Sequence, residues 1–144
     1  MAGRTAEGRV AWAEDSYPDT PLTGPGPNAP ANNIILDCGG GVYAQYAHLR
    51  KGSAAVHVGD WVRAGQKLAC TGNSGQSAMP HLHFTLMDSD YFSIPGRFRL
   101  EQNAGSHWEL KDGAALSEGT SLRPAPTPVR PDGTGNGAIP WQKE

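Results

Sequence analysis

Residues 33–49 read Asn33-Ile34-Ile35-Leu36-Asp37-Cys38-Gly39-Gly40-Gly41-Val42-Tyr43-Ala44-Gln45-Tyr46-Ala47-His48-Leu49, two apolar-rich runs separated by three glycines. The pattern predicts a hairpin, with Asn33–Cys38 as the outgoing strand and Val42–Leu49 as the returning one. The three glycines suit the reversal because they adopt positive φ without steric cost.

Similar patterns lie on both sides of it. Residues 7–13, Glu-Gly-Arg-Val-Ala-Trp-Ala, predict a short strand with Val10 and Trp12 on one face. Residues 18–31 hold five prolines and two glycines. Proline supplies no ladder donor, so this stretch is expected to be an exposed loop. Residues 56–71 alternate short apolar runs with Gly59-Asp60 and Ala64-Gly65, which predicts strand–turn–strand. A loop of small residues, 72–80, ends at Pro80, and 81–87 predicts another strand. Beyond Asp90, Phe92, Ile94, Phe98 and Leu100 are expected in an edge strand or a packed loop. From about Ala114 the composition is that of a tail. No helix signal occurs, so the expected fold is all-β, a small antiparallel sandwich or barrel-like domain over 7–110 with its core in 33–87. Residues 111–144 form the expected Pro/Gly-rich C-terminal tail.

The 144 residues make room for one domain, which at this size buries roughly 65–70% of its unfolded surface. The apolar fraction is 38%, and 19 glycines with 12 prolines favour short strands joined by turns. The net charge of −2 and the absence of a long basic run argue against a nucleic-acid or anionic-membrane partner. No stretch approaches the ~20 apolar residues of a membrane span. The first eight residues have no apolar run, so no signal peptide is expected in this chain. Cys38 and Cys70 are compatible with one bridge or with two free thiols.

The chemistry lies in His81-Leu82-His83. In a strand, residues i and i+2 face the same side, so both imidazoles are expected on one face and Leu82 and Phe84 on the other. His48 ends the returning hairpin strand, with Tyr46 expected on its face. Convergent imidazoles are metal ligands and general bases near neutral pH. An isolated His-x-His in a β-protein more often serves hydrogen bonding at the surface than a metal site. The remaining candidates read more simply. His57 is expected to be solvated and His107 to sit at a surface or edge. Asp88 and Asp90 are expected to cap a turn, and Trp12 and Trp61 to be core or groove wall.

Four motifs in order, Tyr46-Ala47-His48-Leu49, Val58-Gly59-Asp60-Trp61-Val62-Arg63-Ala64-Gly65-Gln66, Gly72-Asn73-Ser74-Gly75-Gln76-Ser77 and Pro80-His81-Leu82-His83-Phe84, resemble the lysostaphin/LytM-type zinc metallopeptidases over residues 33–87. The resemblance implies a β-fold of the duplicated-hybrid-motif type with a substrate groove, one zinc ion, and hydrolysis of peptide bonds in peptidoglycan outside the cytoplasm. It assigns His83 to zinc and His81 and His48 to catalysis beside it. Tyr46, Gly72, Asn73 and Ser74 fall at positions expected to contact substrate.

One part of the family pattern is not found. The resemblance calls for a further His and Asp, four residues apart, ahead of the first strand, and no His precedes His48. Gly8-Arg9-Val10 resembles the strand that follows that motif, so the missing ligands are expected upstream of Met1. Two alternatives stand beside this. A non-catalytic relative would use the groove to bind cell wall or regulate an amidase, or Asp15, Asp37, His57 or His107 would substitute as ligands. A third class is a carrier or phosphotransfer domain, suggested by Val58-Gly59-Asp60 with Gly65-Gln66. No Met-Lys-Met carrier motif supports it.

Overall fold

The computed structural model describes residues 7–21, 23–114 and 122–124. Among them there are strands and turns but no helix, in keeping with the all-β expectation. The chain divides into two units, 1–94 and 95–144.

The first unit is a five-stranded antiparallel sheet. Its strands are β1 (Gly8–Glu14), β2 (Asn33–Asp37), β3 (Tyr43–Ala47), β4 (Trp61–Val62) and β5 (His83–Met87), in the order β4-β1-β2-β3-β5. The glycine hairpin forms where expected, with Asp37 opposite Tyr43 and Cys38 N–H bonded to the Val42 carbonyl. Gly39, Gly40 and Gly41 all have positive φ, as the reversal requires.

Period-2 alternation sets the core. Ile34 and Leu36 of β2 lie opposite Tyr46 and Ala44 of β3, which lie opposite Phe84 and Leu86 of β5. Ile34, Leu36, Ala44 and Tyr46 are fully buried, and Val10 and Val62 extend the same layer to β1 and β4. The opposite face carries Asn33, Ile35, Gln45, His83 and Thr85, none of them fully buried. The metal-ligand candidate on β5 therefore stands on the more open face.

Three local expectations need correction. Val10 and Trp12 do not share an environment, since Val10 is buried while Trp12 is 53% exposed. A β-bulge between them advances the register by one residue and breaks the alternation. Trp61, on the short edge strand β4, is 56% exposed and is not core. Residues 56–71 supply only the two residues of β4 and an isolated bridge from Thr71 to Leu49. The rest is irregular chain with turns at Gly59 and Gly65, both of which take positive φ and interrupt pairing.

The second unit is a three-stranded antiparallel sheet, order β7-β6-β8, built from β6 (Phe98–Asn103), β7 (Trp108–Ala114) and β8 (Leu122–Pro124). β7 and β8 fall in or beside the stretch whose composition is that of a tail; residues 115–121 and 125–144 of that stretch lie outside the described residues. His107 contacts the Glu109 carboxylate at 3.1 Å in an exposed setting.

Cys38 and Cys70 are free thiols. Burial, helped by the nearby Asp37 charge, pushes the Cys38 thiol up from 9.0 to about 11. Two pH units mean roughly 100-fold less of the reactive thiolate below that range. Iodoacetamide at mildly alkaline pH is therefore expected to label Cys38 far more slowly in the folded chain than in denaturant. Timed mass spectrometry checks this, and equal rates would contradict it.

Candidate metal centre

Three imidazoles converge at one end of the first unit's sheet. His48, His81 and His83 each place one ligand nitrogen within 4.8 Å of those of the other two. Among the described residues these form the group of donors able to hold a metal ion. The His48 ring lies 4.7 Å from that of His81 and 5.6 Å from that of His83, centroid to centroid.

His83 opens β5 opposite Ala47 and projects from the open face by simple alternation. His48 reaches the same place by breaking that rule. Alternation predicts it on the face of Tyr46, yet the Tyr46 ring packs against Phe84, 5.1 Å away on the core side. The cause is the backbone of His48, whose φ is +59°, in the left-handed region that bulky residues seldom occupy. Such strain of about 1–3 kcal/mol persists only where the surroundings hold it.

The surroundings do hold it. Gly72 N–H donates to the His48 carbonyl at 2.9 Å, and Arg50 N–H donates to the Cys70 carbonyl at 2.9 Å, clamping residues 48–50 against 70–72. His48 Nδ1–H donates to the Ser74 carbonyl at 2.7 Å. Ser74 is itself fixed, since its buried hydroxyl donates to the Leu49 carbonyl and accepts from Asn32 N–H. Asn32, with no exposed surface, spends its side chain on Tyr17 and on the Leu49 carbonyl.

His81 is held in a similar way. Its Nδ1–H donates to the Met79 carbonyl at 2.8 Å, with the Ser77 hydroxyl at 3.2 Å. Ser77, 3% exposed, also donates to the Asn73 side-chain oxygen at 2.7 Å. Asn73 is tied to the proline loop through Asp19 and Thr20.

These contacts fix which nitrogens are available. A carbonyl oxygen only accepts, so Nδ1 of His48 and of His81 carries the hydrogen and Nε2 keeps the lone pair. His83 is engaged at the other nitrogen, with Nε2 3.0 Å from Thr85 Oγ1. Partial burial first, then the neighbouring His48 and His81, lower the pKa of His83, which favours the neutral, ligating form. Neutral imidazoles with oriented lone pairs are the donors zinc accepts, so the residues present fit that ion.

The other expected site residues turn to partners within the fold. Tyr46 is fully buried, and Ser74 and Asn73 turn their side chains to internal partners. At Gly72, what approaches closely is the chain's own backbone. A Cβ there would sit 2.5 Å from both the N and the Cα of Arg50. The substitute ligands do not join the group. Asp15 accepts from Ala54 N–H, Asp37 from Gly39 N–H, and His57 pairs with Asp60. Ser77, Thr85 and Asn32 are supporting residues that the sequence pattern does not single out. Of these, only Ser77 falls inside one of the four motifs.

A family model described as peptidase family M23 matches residues 5–93. Lysostaphin of Staphylococcus simulans is 44% identical over 61 residues, covering 42% of this chain and 12% of that protein. The glycyl-glycine endopeptidase ALE-1 of Staphylococcus capitis is also 44% identical over 61 residues, covering 42% of this chain and 16% of that protein. The chain thus spans less than a fifth of the length of these relatives. Among solved structures, a zinc-containing peptidase from Vibrio cholerae aligns with TM-score 0.45 and 25% identity, covering 59% of this chain and 22% of that one. A mutant catalytic domain of the prophage-encoded M23 protein EnpA from Enterococcus faecalis aligns with TM-score 0.46 and 23% identity, covering 60% and 57%.

Proposed function

The chain belongs to peptidase family M23, and on that premise we propose that it acts as a zinc-dependent endopeptidase on the peptides of bacterial peptidoglycan, outside the cytoplasm. The observation that carries this reading is the convergence of His48, His81 and His83, each with one ring nitrogen within 4.8 Å of those of the other two. The name of one relative, a glycyl-glycine endopeptidase, makes glycyl-glycine bonds the first substrates to try.

His83 is one metal ligand, through the nitrogen that Thr85 leaves available; a catalytic zinc takes about three protein ligands, and the further His and Asp of the family pattern are not found ahead of His48. When bound, zinc supplies Lewis-acid polarisation of a carbonyl and lowers the pKa of a water at the site. His48 and His81 do the proton work. Each presents a lone pair at Nε2, the other nitrogen being committed to a carbonyl. A neutral imidazole so placed takes a proton from an attacking water and returns it to the leaving amine. Protonated, it stabilises negative charge developing on the former carbonyl oxygen. Their backbone anchors keep both rings from reorganising during the reaction. Ser74 and Gly72 serve this reading by holding His48, and Asn73 by holding Ser77 beside His81, while Tyr46 packs on the core side.

The mutual distance within 4.8 Å also favours a second reading, in which all three histidines are ligands and together supply the three that a catalytic zinc site needs. The single-histidine variants treated in the Discussion separate the two.

Incubation of the full chain with purified peptidoglycan, scored by released amino groups, tests the activity. Cleavage is expected, with loss on chelation and return on adding zinc. Binding to the wall without cleavage, unaffected by chelation, would favour a non-catalytic wall-binding module instead.

A further inference from the structure

We propose that Thr85 is a positioning residue that sets the tautomer of His83 and thereby selects Nδ1 as its metal-binding atom. The proposal rests on the reading of His83 as a metal ligand and deepens it.

Thr85 and His83 are two residues apart on β5, so their side chains leave the same face of the sheet. The Thr85 hydroxyl lies 3.0 Å from His83 Nε2. This contact differs in kind from those that orient the other two rings. His48 and His81 lean on carbonyl oxygens, which dictate the position of the ring hydrogen. A hydroxyl both donates and accepts, so for His83 the choice is made by the pair. With Nε2–H donating to Thr85 Oγ1, the lone pair falls on Nδ1 and the ring can bind a metal while remaining hydrogen-bonded. With the hydroxyl donating to Nε2, the hydrogen moves to Nδ1 and no ligand atom remains.

The setting holds this contact in place. The sheet fixes the separation of the two side chains, because β5 is paired with β3 residue by residue from Met87 to His83. Thr85 is β-branched, with a restricted χ1 in a strand, so its hydroxyl is held in place at little cost. A ring hydrogen held by an outer partner fixes the ring's rotation and raises the basicity of the ligating nitrogen. Removing such partners from metal-bound histidines typically lowers metal affinity by about 10–100-fold. Nothing in the family-level motif Pro80-His81-Leu82-His83-Phe84 includes Thr85, which lies just past its end.

The test compares the full chain with Thr85→Val, which keeps the shape and removes the hydroxyl, and Thr85→Ser, which keeps the hydroxyl. Long-range proton–nitrogen-15 correlation on the metal-free protein, at mildly alkaline pH, reads the tautomer of His83 directly. The parent chain and Thr85→Ser are expected to show hydrogen on Nε2, and Thr85→Val a shift towards hydrogen on Nδ1. Zinc titration is expected to show about 10–100-fold weaker binding in Thr85→Val and near-parental binding in Thr85→Ser. Hydrogen on Nδ1 of His83 in the parent chain, or a tautomer unchanged by Thr85→Val, would overturn the proposal. Failure of the parent chain to take up zinc would count against the metal reading of the site, while the tautomer measurement would still decide the role of Thr85.

Discussion

Replacing His83 by alanine is expected to abolish zinc uptake by the full chain, with affinity falling by more than the roughly 100-fold upper range seen when a supporting residue is lost. His83 offers a neutral nitrogen from a rigid strand, and its lowered pKa keeps protons from competing with the metal near neutral pH. The fold should survive, because His83 faces the open side of the sheet and contributes nothing to the row formed by Ile34, Tyr46 and Phe84. The companion variants give the measurement its discriminating power. If His83 is a ligand and its neighbours move protons, His81→Ala leaves zinc binding at the parental level and loses hydrolysis, and His48→Ala behaves likewise. If all three are ligands, each variant loses zinc. Zinc content after gel filtration, with far-ultraviolet circular dichroism as the check on folding, reads both outcomes. Unchanged zinc in His83→Ala would remove His83 from the metal site altogether.

The second large effect is expected from Gly72→Ala, a change of one methyl group. The new Cβ would meet two backbone atoms of Arg50 at 2.5 Å, well inside any real contact, and also the Asp19 carboxylate. Backbone cannot swing aside as a flexible side chain does. The segment 70–72 would have to move away from 48–50, breaking the bonds from Gly72 N–H to the His48 carbonyl and from Arg50 N–H to the Cys70 carbonyl. A destabilisation of about 3 kcal/mol, at the upper end of overpacking costs, is the expected scale. For a unit of this size that is a fall in Tm of roughly 12–24 °C. Gly40→Ala provides the contrast. Gly40 has positive φ, but a Cβ added there would meet nothing within 4 Å, so only the left-handed penalty of about 1–2 kcal/mol applies. Equal Tm values for the two variants would show that the approach of the Arg50 backbone is not what demands a glycine at 72. Because residue 72 anchors His48, zinc affinity is expected to fall with stability in Gly72→Ala and to hold in Gly40→Ala.

The strands that carry the site are legible in the sequence because their signals are local. Three consecutive glycines can hardly be anything but a reversal here, and Pro80 marks a chain stop, although the strand expected from His81 begins only at His83. What local pattern does not show is the manner in which His48 joins the pair. Alternation along β3 puts it beside Tyr46, and only its left-handed backbone turns it to His81 and His83. That conformation is imposed from far along the chain, by Ser74 and Gly72; Ser74 is braced in turn by Asn32, and Asn73 between them by Asp19. Contacts that span 42 or 54 residues leave no periodic trace in a single sequence. The bulge that separates Val10 from Trp12 is hidden for a related reason, since a bulge is a property of a strand pair and not of a strand. Thr85 is visible as part of a strand, yet its role depends on a 3.0 Å contact that spacing alone permits without requiring.

The proposed activity depends on His48, His81 and His83 lying together at a metal centre. X-ray absorption at the zinc edge, on the full chain loaded with one equivalent and freed of excess metal, tests this most directly. Stoichiometric retention is expected, with a first shell showing the multiple-scattering signature of imidazole that is lost in His83→Ala. Failure to retain zinc, or a shell dominated by sulfur from Cys38 or Cys70, would contradict it.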